Sequence, residues 1–214
     1  MTPPFKTATL KLPETIIIKP DSIKPHPYRL QNVAMTWRDY CVIMVEHKQE
    51  GIMGSLVAYF SYEEQNSAKK GNTMVVAEKI AAITGSDIMR IEPKERYSSD
   101  YDECCRRAKA EIDGNLRPEI ISHLQTLDAY DTIYIGFPIW YRSYPRVIAT
   151  LIDSLDFTGK KVRPFCTNEE GAFGMAAMEL ESLVKRHGGE LEQGIAIKGQ
   201  DVATCDDAIR RWVK

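Results

Sequence analysis

From position 53 onward the apolar residues recur in two alternating rhythms. Short runs of β-formers read as buried strands at Ser55 to Phe60, Asp87 to Ile91, Asp131 to Ile135, Val162 to Cys166 and Leu191 to Ile197. Between them, apolar residues fall at helical spacing: Val76, Ile80 and Ile83 after Thr73; Val147, Ile148, Leu151, Ile152 and Leu155 after Pro145; Ala177, Leu180, Leu183 and Val184 after Gly174; and a last helix over Ala203 to Val213. Gly85 reads as a helix stop, Pro145 as a first-turn residue, Gly136 and Pro138 as the end of the third strand, and Gly159 as a turn. A polar excursion from Glu92 to Arg117 carries a helical run at Glu103 to Ile112, and a further helix is predicted over Pro118 to Leu127. Strands and helices in strict alternation predict an α/β domain.

In such a sheet, ligands sit where loops leave the carboxyl ends of the strands. The third strand runs straight into Phe137-Pro138-Ile139-Trp140-Tyr141, an aromatic loop in which Phe137, preceding proline, must be extended. Trp140 and Tyr141 are thereby placed to stack on a flat ring; the plain alternative is that Trp140 plugs the top of the sheet. The first strand leads through Ser61 to Gly71-Asn72-Thr73 and a helix. That helix's first turn offers free amides and the positive end of the dipole, and Ser61, Asn72 and Thr73 add side-chain donors, an arrangement suited to a phosphate.

With both loops in view, the chain from about Gly54 to its end resembles the flavodoxin family of FMN-binding proteins, in its branch with a Gly-Asn-Thr phosphate loop and a Pro-Ile-Trp second loop. The resemblance implies a three-layer sandwich with a five-stranded parallel sheet in the order 2-1-3-4-5. It implies that Ser61, Gly71, Asn72 and Thr73 hold the FMN phosphate, and that Pro138, Ile139, Trp140 and Tyr141 pack on the isoalloxazine. The loop after the fourth strand, with Thr167, Asn168, Gly171 and Gly174, then approaches the ring's pyrimidine edge. Two departures stand out. Nine residues, Tyr62 to Lys70, separate Ser61 from Gly71 where the family's loop is usually short, and Tyr141 and Arg142 follow Trp140 where many electron carriers have a glycine.

Composition narrows the alternatives. The 214 residues are 43% hydrophobic with no apolar run long enough for a membrane span, which suits one globular domain and perhaps an arm. Of 28 basic and 30 acidic side chains, residues 1 to 52 hold 7 and 5, leaving 21 against 25 for the remainder. That balance supplies no basic face for nucleic acid, and it is milder than the strong acidity with which carrier flavodoxins dock on basic partners. Five cysteines, Cys41, Cys104, Cys105, Cys166 and Cys205, show neither a disulfide framework nor zinc spacing and point to a reducing, cytoplasmic compartment. Cys166, beside the fourth-strand loop, reads as a buried small residue before a redox thiol. The four histidines are dispersed and carry no metal pattern.

Residues 1 to 52 stand apart, with prolines at 3, 4, 13, 20, 25 and 27 and two β-like runs at Thr15 to Lys19 and Cys41 to Glu46. They read either as an arm or as a non-native extension before a start at Met53. The second is favoured, because Gln49-Glu50-Gly51 can be encoded CAG GAG GGN, which contains a ribosome-binding AGGAGG just ahead of Met53. The expected function is that of an FMN-binding redox protein with residues 53 to 214 as its domain: an NAD(P)H-dependent oxidoreductase passing electrons to quinones or similar acceptors. A non-enzymatic electron carrier and an apo interaction module are the alternatives. No catalytic side chain or metal is assigned, and donor and acceptor are the expected redox partners.

Overall fold

The computed structural model describes residues 54–63, 70–121 and 124–214; the readings made for residues 1–52, the Met53 start and most of the inserted loop lie outside them. The strand β1 (Gly54–Tyr59) is followed by helix α1 (Asn72–Thr84), β2 (Asp87–Arg90), a two-residue β3 (Glu92–Pro93), α2 (Tyr101–Asp113), β4 (Ile120–Ile121) and β5 (Tyr130–Pro138). Then come α3 (Val147–Asp153), β6 (Lys161–Asn168), α4 (Ala176–Arg186), β7 (Glu190–Leu191), β8 (Ile195–Lys198), a short 3-10 turn and α5 (Asp206–Trp212). The parallel sheet runs β2-β1-β5-β6, with β7 and β8 both beyond β6, so the order expected from the resemblance holds by position.

Alternation along the strands divides the core into two layers. Leu56, Ala58, Ile133, Ile135, Phe137, Val162 and Cys166 point to the side of α3 and α4, whereas Val57, Tyr59, Tyr134 and Phe165 pack with Val76 and Ile80 of α1 and Ile209 of α5. Each fully buried aliphatic or aromatic side chain contributes about 1.5 to 3 kcal/mol through removal from water. The predicted α1 stop holds: Gly85 takes φ 73° and its amide reaches the Ala81 carbonyl at 2.9 Å.

Four details differ from the sequence reading. Gly136 does not end the third strand; β5 continues through it to Pro138, and a Cβ there would overlap the Phe165 ring of the neighbouring strand. The glycine is a seat for that ring. The fifth strand is broken at Glu192–Gly194 into β7 and β8. Val162 pairs with Leu191 and Phe165 with Ile195, so the fifth strand uses one residue more than β6 does over this stretch. Glu192 to Gly194, three residues, stand against Arg163 and Pro164. The Glu192 amide donates to the Val162 carbonyl, so Pro164, two residues on, faces the same neighbour, and its missing N–H falls where the ladder parts.

The helix predicted over Pro118 to Leu127 is absent from the described residues: Ile120 and Ile121 pair with Pro93 and Glu92, and Leu124 to Leu127 carry no helix. The excursion's backbone groups are satisfied by this small antiparallel ladder, extended by the Lys94 amide to the Glu119 carbonyl at 2.8 Å. In α4 the innermost alanine is Ala176 and not Ala177. No helix among the described residues is long and apolar enough to cross a membrane.

Candidate functional site

The carboxyl ends of β1 and β6 and the N-terminus of α1 bring three buried polar side chains together. Ser61 and Thr73 are each 2% exposed and Thr167 is 4% exposed. The Ser61 hydroxyl accepts from the Met74 amide at 3.3 Å and so caps the helix from a distant point in the chain, while Gly71, the residue at the cap position, has no side chain to do so. Gly71 has to be glycine: a Cβ would overlap the Ser61 hydroxyl and stand 2.7 Å from the Tyr62 carbonyl. The hydroxyls of Thr73 and Thr167 bond to each other at 2.8 Å, tying the first turn of α1 to the end of β6. Asn72 is exposed at the same helix end, and its amide group lies against the Gly199 backbone beside Glu169. Ser61, Gly71, Asn72 and Thr73, grouped by the sequence reading, lie together, and Thr167, which that reading places with the third loop at the ring edge, joins them through Thr73.

Glu63 was not anticipated there. Its carboxylate accepts from the Gly71 amide at 3.4 Å and from Arg90 at 3.0 Å, and Arg90 also donates to the Ser61 carbonyl at 3.3 Å. A fixed anion, itself neutralised by an arginine at the end of β2, stands beside the positive end of α1. The only signal in the sequence is an acidic residue two positions after Ser61.

The second loop is a tight hairpin. Trp140 and Ser143 exchange two backbone hydrogen bonds of 2.9 Å, and Tyr141 and Arg142 between them take φ 48° and φ 64°. Two positive-φ residues at the corner are the geometry for which Asn-Gly is favoured, and two bulky side chains there store strain. The conformation is held from outside: the third loop supplies the Met175 amide to the Arg142 carbonyl at 2.8 Å, and Ser143 bonds the Glu179 carboxylate. Trp140 sits edge-on among Phe60, Tyr62 and Tyr97, with centroids 5.5, 6.0 and 4.9 Å away. Tyr141, in contrast, is 51% exposed at the tip. The two aromatic residues grouped together in the sequence therefore have different surroundings, one packed against the core and one presented outward; Pro138 and Ile139 are half-buried beside them.

Beneath Trp140 lies a network the sequence did not disclose. The Tyr97 hydroxyl donates to Glu111 at 2.6 Å, Arg107 donates to the other oxygen of Glu111 at 2.8 Å, and the Arg107 guanidinium lies 4.4 Å from the Tyr97 ring centre. Burial, then the Glu111 hydrogen bond, pushes the Tyr97 phenol far above its ordinary range, so it stays a donor.

The third loop is folded by its own side chains. Asn168 accepts from the Gly171 amide at 2.6 Å and donates to the Ala172 carbonyl at 2.5 Å, so the amide side chain is engaged in closing the loop. Gly171 and Gly174 both take positive φ, and a Cβ on Gly174 would approach the Arg142 carbonyl to 2.8 Å. Cys166, fully buried, has its thiol pushed up to about 12 by desolvation, which agrees with the structural reading of that residue. Among the described residues no cluster of side chains could hold a metal ion.

The sequence model of the flavodoxin family matches residues 54–214. Among solved structures, a proposed flavoprotein from Bacteroides uniformis ATCC 8492 is 31% identical, with a TM-score of 0.62, over 75% of this chain and 97% of its own. A proposed flavoprotein from Bacteroides eggerthii DSM 20697 is 32% identical, also with a TM-score of 0.62, over 75% and 96%. A flavoprotein from Lactobacillus acidophilus NCFM, solved in complex with FMN, is 22% identical with a TM-score of 0.58 over 76% and 99%, a likeness of fold. No curated protein matches the chain.

Proposed function

The chain belongs to the flavodoxin family, and on that footing we propose that residues 53 to 214 bind FMN without a covalent bond and act as an oxidoreductase, taking electrons from NADH or NADPH and passing them to quinones or similar acceptors. The observation that carries the FMN reading is the cluster at the start of α1. Gly71 lets the Ser61 hydroxyl and the Tyr62 carbonyl close against the helix start, the amides of Asn72 and Thr73 have no partner among the described residues, and two buried hydroxyls stand next to them. This donor set fits a phosphate. The FMN in the Lactobacillus acidophilus flavoprotein supports the same assignment.

Held there, FMN would supply hydride and electron chemistry that no side chain provides. Asn72, Thr73 and the α1 amides hold the phosphate; Tyr141, exposed at the hairpin tip, covers a face of the ring; backbone groups of the second and third loops meet its polar edge. Trp140 supports Tyr141 from the core side. The enzyme reading is favoured over the carrier by the near-neutral charge and by the bulky Tyr141-Arg142 corner in place of a glycine.

The test is the absorption spectrum of the purified protein, followed by anaerobic titration with NADH and with NADPH. A yellow protein bleached rapidly by either nucleotide is expected. One bleached only by a chemical reductant is a carrier, and a colourless protein that takes up no FMN defeats the reading altogether.

A further inference from the structure

A cavity of about 280 Å³ opens beside the second-loop hairpin, on the side of α2. Cys104 and Cys105 of α2 line it together with Tyr62, Tyr101 and the hairpin residues Trp140 and Tyr141. Ser61, Gly71, Asn72, Thr73, Thr167 and the third loop do not line it, and Tyr62, between Ser61 and Glu63, is the residue the cavity shares with the neighbourhood of the α1 cluster. We propose that this cavity is a second ligand site, for a neutral planar ring bearing carbonyl oxygens, and that the Trp140-Tyr141 hairpin is a wall shared between that ring and the flavin. The shared wall rests on the function proposed above; the cavity itself does not.

The chemistry of the lining selects the ligand class. Four of its eight residues are aromatic and not one is charged, so a flat, uncharged molecule is the complement, and the volume suits one or two fused rings. Tyr101 and Tyr141 stand at the rim, 78% and 51% exposed, where their rings are free to meet a ligand entering the cavity. Both phenols lie against Cys105, and the Tyr141 hydroxyl donates to its carbonyl at 3.2 Å. The hydrogen bond to Cys105 raises both phenols above their ordinary range; the Tyr141 proton is already given to the Cys105 carbonyl, so Tyr101 is the phenol that can turn its proton toward a ligand carbonyl. The left-handed backbone at Tyr141 is a further mark, because strain of this kind persists where surrounding contacts fix it and gathers at ligand sites. Quinones answer this description, and a quinone bound here would lie one aromatic ring away from FMN on the other face.

Calorimetric titration of the full chain with duroquinone tests the proposal, since that ring has no free position for thiol addition and Cys104 and Cys105 cannot trap it covalently. One duroquinone is expected to bind per chain, with FMN bound or absent. Tyr101→Phe should weaken it about three- to tenfold through loss of one neutral hydrogen bond, and Cys105→Leu, which fills the cavity, should abolish it; neither should change FMN affinity. Duroquinone binding that both variants leave intact overturns the site. Binding that FMN abolishes shows the cavity to be the flavin's own bed and overturns the shared wall. A chain that takes duroquinone but no FMN supports the cavity while refuting the proposed function, so the two failures are told apart.

Discussion

The Thr73 and Thr167 hydroxyls offer the sharpest perturbation, because they have two protons and share one hydrogen bond. One proton lies between the oxygens at 2.8 Å and the other is left to point elsewhere. If Thr73 directs that proton at a phosphate oxygen, Thr73→Val should weaken FMN binding by about 1.5 to 3 kcal/mol, the worth of a hydrogen bond to a charged group. Riboflavin, without the phosphate, should bind as before. The same change strips the buried Thr167 hydroxyl of its partner and should lower stability by about 1 to 3 kcal/mol. Thr167→Val should cost similar stability with little loss of FMN affinity, since Thr73 keeps its donor. The double variant replaces both partners with apolar groups, so its stability should return to within about 1 kcal/mol of the parent while FMN stays weak. Urea unfolding of the apo-proteins and flavin fluorescence titrations measure the two quantities. Additive stability losses would show that the hydroxyls are not bonded to each other. Equal losses for FMN and riboflavin would show that Thr73 merely shapes the helix start.

Three further outcomes are expected. Glu63→Gln removes a fixed anion from beside the α1 amides and should tighten FMN, but not riboflavin, by about 1 kcal/mol, the repulsion of two unit charges ~4 Å apart in water; unchanged FMN affinity would mean that Arg90 already cancels the charge. Trp140→Ala opens space among Phe60, Tyr62 and Tyr97 and should destabilise the apo-protein by about 3 kcal/mol, while Tyr141→Ala should leave its melting nearly unchanged and loosen FMN by about 1 to 3 kcal/mol if stacking matches that on a nucleobase; the reverse pattern in thermal melts and titrations would exchange the two roles. Cys166 should resist a thiol-specific reagent at pH 8 until the protein unfolds, because its thiol is pushed up to about 12, and labelling in the native state, read by peptide mass, would contradict the burial.

What the sequence made legible was the part written in local chemistry. Strand runs, helix spacing, Gly85 and the glycine and hydroxyl residues before α1 each act within a few residues of themselves, so their pattern survives in one dimension. The failures are all matters of a partner. Gly136 looks like a strand breaker until Phe165 is seen lying over it. Pro118 to Leu127 has helical spacing, yet Ile120 and Ile121 answer to Pro93 and Glu92 across a ladder. Trp140 and Tyr141 are adjacent and alike in type, and only the rings of Phe60, Tyr62 and Tyr97 separate their environments. The pairings of Glu63 with Arg90 and of Tyr97 with Glu111 join residues 27 and 14 positions apart, which spacing rules do not reach.

The break in the fifth strand bears on how the molecule behaves in a crowd. β7 and β8 form one rim of the sheet, where unpaired backbone groups invite another chain to add a strand and begin aggregation. Here the rim is two short pieces of two and four residues with an interruption between them. The carbonyl of Gln193 in the gap is taken by the Trp212 indole at 2.7 Å, and Glu192 is drawn to Lys161 and Arg163 at 3.4 and 3.3 Å. An incoming strand finds neither a continuous row of donors nor a constant register. A proline in the fourth strand, next to the rim, thereby limits what a second molecule can do at the sheet's outer edge.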